Sequence, residues 1–380
     1  MSRNLLSLAE FVQVSESEEL FEFLDNEAIL ELCQLGNTNA FRSSQQIERS
    51  TGVRLRRILR KDTTVVDVAM ALCQKLEEKH SFNWQYCGAI GLCHSHVDPN
   101  AAQELARHLA NYLAVPIDRF FTINGGCCGF LELLHQGEQK LQTNKVNGPV
   151  PLLCVETPET WHDASDRLFC GIVSAGAAGT ILSSEGSGHR LLQLQHQHEY
   201  IPPEQRNGGE PLFQKRTDVV TTFRGAREQH TVMSMNAEAV FCSGIEAMLD
   251  ESQAGMLAAT KVRRVILPHQ PSGKMLRAMV DISREQRGST PMLIHLEVGG
   301  NMLSATIPTL LAKLDEVLMI NNELPLLEGD QVIIAAAGIS MPQMSDHLSR
   351  GHALIEWRPT NSDQMKSEAD NIAMDYVPTT

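Results

Sequence analysis

Several short runs of this chain are apolar almost throughout rather than at alternate positions. They are YCGAIGLC (86–93), PLLCVE (151–156), GIVSAG with AGTILSS (171–176, 178–184), RRVILPH (263–269), MLIHLEV (292–298) and QVIIAAAG (331–338). Each is bounded by Gly, Pro or charge, as expected of strands covered on both faces. Between them, residues 65–79, 101–113, 130–141 and 305–314 carry helical periodicity. Strands alternating with helices predict an α/β layered fold with a largely parallel sheet. With 380 residues, 42% of them hydrophobic, the chain is long enough for one large core or two fused halves.

The order helix, connector, buried strand in the stretch beginning VVDVAMALC at 65 returns in NAEAVFCSGIEAML at 236. Each copy is followed by a glycine-flanked polar residue before another helix: Cys127 in the first, Asn301 in the second. This predicts an N-terminal half over 1–182, an irregular insertion or linker over 183–231, a C-terminal half over 232–358 and a mobile tail over 359–380. Strand ends of both halves would then converge on one central site.

Formal net charge is −14, which excludes broad attraction to nucleic acid or anionic lipid. Nine cysteines without CxxC spacing suggest neither a disulfide framework nor a zinc site, and fit a reducing compartment. His189, His196, His198 and His230 alternate as a solvated strand face would, so no metal is expected. The uncharged run 168–184 is broken by Gly171, Gly176 and Gly179 and reads as two buried strands around a turn rather than a membrane span. The N-terminus lacks the long apolar core of a secretory signal. A cytoplasmic protein without a membrane partner is expected.

Chemistry concentrates in three stretches. NGGCCGF puts Cys127 at a strand-to-helix turn, where the helix N-terminus favours thiolate and its free N–H groups can hold an oxyanion. LPHQPSG puts His269 just after a buried strand, and VGGNMLSATIP puts Asn301 between two glycines and a helix. A thiolate attacks a thioester, while imidazole and amide donors suit a second developing negative charge, such as the enolate left when a malonyl thioester loses carbon dioxide.

In this order and at these intervals the three stretches resemble the thiolase-like condensing enzymes, most closely the β-ketoacyl-acyl carrier protein synthase III group. The matching residues are Cys127-Cys128-Gly129-Phe130, Pro268-His269-Gln270, and Gly300-Asn301 with Ser304, Ala305 and Pro308. The resemblance spans about residues 50–345, including STGVRLRRIL (50–59) and EGDQVIIAAAGIS (328–340). It implies two similar βαβαβ-type halves in an α-β-α-β-α layering, and a homodimer. It implies that Cys127 accepts an acyl group, that His269 and Asn301 assist Claisen-type condensation, and that the amides of Cys127 and Gly338 form the oxyanion hole. No tightly bound cofactor is implied; the substrates would be thioesters of coenzyme A or of an acyl carrier protein's phosphopantetheine. Arg49, Arg56 and Lys274 are the candidate contacts for that arm.

The chain departs from the family's pattern around the cofactor. Gln46 falls where the family has a tryptophan, Lys274 replaces an arginine, Ala175 replaces an acid, and the last glycine-rich loop is reduced to AAAGIS. These changes leave open whether coenzyme A or a carrier arm delivers the acyl group, and favour a specialised-metabolite pathway over housekeeping fatty-acid initiation. The basic run RLRRILRK (54–61) and KVRR (261–264) suit either phosphate or carrier contacts, or an ordinary charge-balanced face. Three other functions share the residues: acyl transfer to an alcohol or amine with His269 as general base, a non-catalytic partner subunit, and a plant-type polyketide synthase relative. Cys128 stands where the family has a small residue, which implies a space-filling role. His94, His96 and Asp98 read as an ordinary polar loop.

Overall fold

The computed structural model describes residues 6–36, 38, 40–143, 146–260, 262–287, 290–341 and 344–358; the expected mobile tail over 359–380 lies outside them. The first half runs β1 (Leu6–Leu8), β2 (Val12–Gln13), β3 (Phe21–Leu24), α1 (Asn26–Leu35), α2 (Ser44–Thr51), β4 (Arg56–Leu59), α3 (Val65–His80), β5 (Ile90–Cys93), α4 (Ala101–Tyr112), β6 (Phe120–Ile123), α5 (Gly129–Gln142), β7 (Val150–Glu156) and β8 (Gly176–Ser183). The second runs β9 (His189–Tyr200), β10 (Phe213–Thr221), β11 (Arg227–Met235), α6 (Ala237–Ala258), β12 (Arg264–Pro268), α7 (Gly273–Arg287), α8 (Thr306–Ala312), α9 (Leu314–Ile320), β13 (Gln331–Ile339) and β14 (His347–Glu356).

Strand pairing carries the repeat that the sequence hints at. In the first half β5 and β7 pair parallel, then β7–β8 and β8–β1 antiparallel. In the second β12 and β13 pair parallel, then β13–β14 and β14–β9 antiparallel. Antiparallel pairing of β1 with β9 joins the two sets edge to edge, so that one ladder runs from β12 to β6.

Burial explains the apolar runs. Every residue of β7 and of β13 is buried, because helices cover both faces. Helix α3 starts at Thr64, whose hydroxyl accepts from the Asp67 N–H while Asp67 returns a bond to Thr64 N. Its buried stripe and that of α4 pack on the outer face of the first sheet, with α6 on the second. Helix α5 differs: it touches β5, β7 and β8 of one half and β9 and β14 of the other. It lies between the sheets, buried on most of its circumference, and Phe130, Leu131 and Leu134 share one core cluster with Leu152, Ile334 and Ala336. The architecture is the expected α/β layering. Among the described residues no helix is long and apolar enough to cross a membrane.

Four sequence expectations need correction. The large sheet is not mainly parallel: β5–β6, β5–β7 and β12–β13 pair parallel and the other six pairings are antiparallel, because covered antiparallel strands carry the same uninterrupted apolar signature. The segment 183–231 is not irregular: it contains β9, a twelve-residue central strand, and the hairpin of β10 and β11. Its polar residues mislead because β10 and β11 form a separate two-stranded sheet that exposes both faces along much of its length. The run 168–184 holds one strand, β8, preceded by a single bridge between Val173 and Asn301. The stretch 292–298 makes no strand beyond one bridge between Ile266 and Met292. Side-chain amides replace the missing ladder there: Gln270 Oε1 accepts from His295 N at 3.1 Å and Gln270 Nε2 donates to Leu293 O at 3.2 Å. Asn321 brackets Ile294 from the other side with bonds of 3.0 and 2.9 Å.

At the start of α5 the chain is packed without slack. A Cβ on Gly129 would lie 2.4 Å from Cys93 Sγ and 2.9 Å from Ser304 Cβ, and one on Gly125 would lie 2.5 Å from Gly129 Cα. Gly129→Ala is expected to destabilise the protein by about 1–3 kcal/mol through overpacking, read as a lower urea midpoint; an unchanged midpoint would show that the turn yields.

Candidate active site

Strand β6 ends at Ile123, and within a few residues the chain must reverse into α5. Gly126 takes φ +56°, and its N–H donates to Ser95 Oγ at 3.0 Å. Left-handed backbone of this kind is the reason for a glycine before the cysteine. The single turn over 126–128 then presents Cys127 partly exposed while Cys128 is fully buried, its Sγ 3.8 Å from Ala336 O. The doubled cysteine therefore divides into one reachable thiol and one packing residue.

Asn301 reaches Cys127 from the second half of the sequence. Its Nδ2 lies 3.8 Å from Cys127 Sγ, and its Oδ1 accepts from Leu303 N at 2.9 Å, which fixes the amide orientation. Its backbone is pinned to the segment before β8: Asn301 N donates to Ile172 O at 2.8 Å and Asn301 O accepts from Ser174 N at 2.9 Å. Gly300 permits this contact, since a Cβ there would lie 2.7 Å from Ile172 O. Leu303 sits at φ +47°, an uncommon conformation for a bulky residue.

His269 follows β12, its N–H bonded to Ala335 O at 2.7 Å. The ring is fully buried, and neither nitrogen has a hydrogen-bond partner. Burial pulls its pKa down to about 3, opposed only by the neighbouring Asn301 amide. Gly338, near the end of β13, completes the convergence: a Cβ there would stand 2.7 Å from Cys127 Cβ and 3.5 Å from its Sγ. The structure thus brings Cys127, Asn301, His269 and Gly338 together.

The thiolate expected from the helix terminus is not the resting state. Burial pushes the Cys127 thiol up to about 12, the Asn301 contact opposing it and the Glu156 charge adding to it. A neutral thiol and a neutral imidazole thus flank the Asn301 amide.

Sequence reasoning missed the polar group beneath the turn. Glu156, at the end of β7 and fully buried, accepts from Ser95 N at 2.9 Å, from Ser95 Oγ at 2.8 Å and from Ser304 Oγ. Burial nevertheless pushes it up to about 8. The polar ending of the PLLCVE run was the one available signal. His94 is likewise no surface loop residue: buried, it donates through Nδ1 to Val155 O at 2.8 Å and burial pulls it down to about 4.

Of the three proposed cofactor contacts, Arg56 is misplaced. It is fully buried at the start of β4, donating to Asn26 Oδ1 at 2.8 Å and Gly171 O at 2.9 Å, and burial lowers it to about 10. Elsewhere in RLRRILRK, Arg54 pairs with Glu48 and Glu297 at the surface, and Arg57 is buried. Arg263 and Arg264 of the second basic cluster bond Glu323 and Thr290. The run therefore divides: Arg56 and Arg57 are core residues, while Arg54 is an exposed cation balanced by exposed acids. Arg49 and Lys274 are exposed, on α2 and α7, which meet where a Cβ on Gly52 would be 2.9 Å from Gly273 Cα. Lys274 lies over the Phe241 ring, and Arg277 donates to Arg49 O at 2.9 Å, adding a third cation to this rim. Gln46 folds back to accept from Arg42 N at 2.6 Å.

No family model matches the sequence, and no curated protein matches it. Solved structures do match. The 3-oxoacyl-(acyl carrier protein) synthase III of Pseudomonas aeruginosa is similar at 18% identity over 93% of this chain and 99% of its own, with a TM-score of 0.67. The priming β-ketosynthase of the R1128 polyketide pathway is similar at 16% identity over 93% and 97%, with a TM-score of 0.69. AbyA1, a tetronic acid condensing enzyme, is similar at 14% identity over 92% and 99%, with a TM-score of 0.65. The fold is therefore the thiolase-like fold of these ketosynthase structures.

Two outcomes follow. Alkylation of Cys127 by iodoacetamide, followed by intact mass, is expected to be slow at pH 7. It should rise about tenfold per pH unit through pH 10, since the thiolate fraction climbs below a raised pKa; a plateau near pH 8 would contradict the buried thiol. Arg56→Met is expected to cost about 2–4 kcal/mol by leaving buried acceptors unpaired, seen as a lower urea midpoint. Lys274→Ala is expected to leave the midpoint in place.

Proposed function

We propose that the chain is a condensing enzyme of the ketosynthase type, which holds an acyl group on Cys127 and extends it by forming a carbon–carbon bond. The observation that carries this reading is the Asn301 amide 3.8 Å from Cys127 Sγ, with the partnerless imidazole of His269 beside the same amide. Simple acyl transfer needs a base; a second polar donor aimed at the same cavity suits a reaction in which a second negative charge develops.

In this mechanism the Cys127 sulfur attacks an acyl thioester. The new acyl–sulfur bond replaces the old one, and the released thiol leaves with the proton that Cys127 gives up. His269, neutral because it is buried, receives and returns that proton. The amides of Cys127 and Gly338 face the oxyanion. A malonyl-type thioester then loses carbon dioxide, its enolate stabilised by donors from His269 and Asn301. The enolate carbon attacks the acyl carbonyl, and Cys127 leaves and is reprotonated. The apolar cluster that Cys127 borders, including Ile47, Phe169, Met279 and Leu303, suits an acyl chain.

The thioester arm is that of coenzyme A or of an acyl carrier protein, and the exposed cations Arg49, Lys274 and Arg277 are its phosphate contacts. No resident cofactor takes part. The reading includes a homodimer: β6 ends the sheet and offers its outer edge to a second copy.

Intact-mass measurement after exposure to an acyl-coenzyme A panel is expected to show one acyl adduct, lost in Cys127→Ala. Added malonyl thioester should then release carbon dioxide and a product lengthened by two carbons. Asn301→Ala is expected to keep the adduct while losing at least about 100-fold in condensation rate. An adduct that passes only to alcohols or amines would replace condensation with acyl transfer, and no adduct on any donor would leave a non-catalytic subunit.

A further inference from the structure

Behind the Cys127 turn, helix α5 and strand β9 bring together four side chains that neither the fold nor the proposed chemistry uses. Glu132 and His135 are three residues apart on one helix face, and His196 and His198 are two apart on one strand face. The sequence reading placed these histidines on a solvated strand face. The structure instead leaves the His196 side chain 5% exposed and that of Glu132 16% exposed. We propose that Glu132, His196 and His198 form a binding site for a divalent transition-metal ion, zinc being the ion this donor set suits best.

The geometry is that of ligands around a centre. Donor atoms of Glu132, His196 and His198 all lie within 4.8 Å of one another. The carboxylate forks between the rings, Oε2 3.9 Å from His196 Nε2 and Oε1 3.8 Å from His198 Nε2. These separations are too long for hydrogen bonds. Two nitrogen or oxygen ligands on one tetrahedral zinc stand about 3.4 Å apart, so each carboxylate-to-imidazole separation lies about half an ångström from that of a closed shell.

The surroundings point the same way. His198 Nδ1 is bonded to Ser340 Oγ at 2.7 Å, which fixes the ring with Nε2 turned to the carboxylate, as outer-shell partners of metal-bound histidines do. His135 borders the cluster rather than joining it: its Nε2 is bonded to Gln139 Nε2 at 2.8 Å, and its ring centre is 6.1 Å from that of His196. His196 Nε2 shares a 2.9 Å bond with Ser349 Oγ, which the ion would replace. A cleft of about 740 Å³ opens onto the cluster, giving the ion a path. Lys140, which lines the same cleft, is engaged with the Phe121 ring at 4.9 Å. Two imidazoles with one carboxylate, and room for water, favour zinc over the hard cations calcium and magnesium. Because Glu132 is on the nucleophile's helix and Ser340 follows Gly338 by two residues, the ion would brace both.

The test is titration of chelator-treated full-length protein with cobalt(II), then displacement by zinc. One equivalent of cobalt is expected to give an intense visible absorption without the near-ultraviolet band of thiolate ligation. Glu132→Gln and the pair His196→Ala with His198→Ala should each weaken binding at least about 100-fold. Ser340→Ala should weaken it about 10-fold, and His230→Ala, on the exposed hairpin, not at all. Circular dichroism and the urea midpoint of each variant separate lost binding from lost folding. The proposal is overturned if the wild-type protein gives no saturable band, if that band carries thiolate character, or if it survives in Glu132→Gln and in the double histidine variant while both remain folded.

Discussion

Cys127 and Gly338 belong to different halves of the chain, yet nothing larger than a hydrogen fits between them. That contact governs what surrounds it. For the turn to come so close to β13, α5 must run between the two sheets, touching strands of both. Helix α5 in turn has to be buried nearly all round, and its first residues must be small enough to pass Cys93 and Ser304. Glycines at 125, 126, 129 and 338 are thus one packing solution rather than four separate concessions to flexibility.

The dryness that this packing creates sets the electrostatics. A thiol raised to about 12, an imidazole lowered to about 3 and a carboxyl raised to about 8 all move toward their neutral forms, as burial requires. Glu156 is the instructive case, because three donors converge on it and still do not offset the loss of water. In the proposed chemistry, charge appears at this site only when a substrate brings it, and fixed amides meet it without having to reorient.

Much of the fold was legible because burial on both faces leaves a plain signature: β5, β7, β12 and β13 lie where uninterrupted apolar runs predict them. Cys127, His269 and Asn301 were legible as residues because each sits at the end of such a run, beside glycine or proline. What failed depended on partners remote in sequence. Arg56 belongs to a basic octet that looks like surface, and only Asn26 and Gly171 reveal it as a core residue. Residues 292–298 have strand composition, but Gln270 and Asn321 satisfy the backbone that a neighbouring strand would. His196 alternates as an exposed residue would, while the group it faces is 64 residues earlier on a helix (196 − 132). Periodicity reports which face a residue is on; it carries nothing about what approaches that face.

The seam where β1 meets β9 has a mechanical consequence. Backbone hydrogen bonds bind the two halves along a shared edge, and helix α5 touches strands of both, so they cannot swing apart like a clamshell. Any motion that opens a route to Cys127 is therefore to be sought outside that seam, in pieces such as the hairpin of β10 and β11, which pairs with no strand of the large sheet.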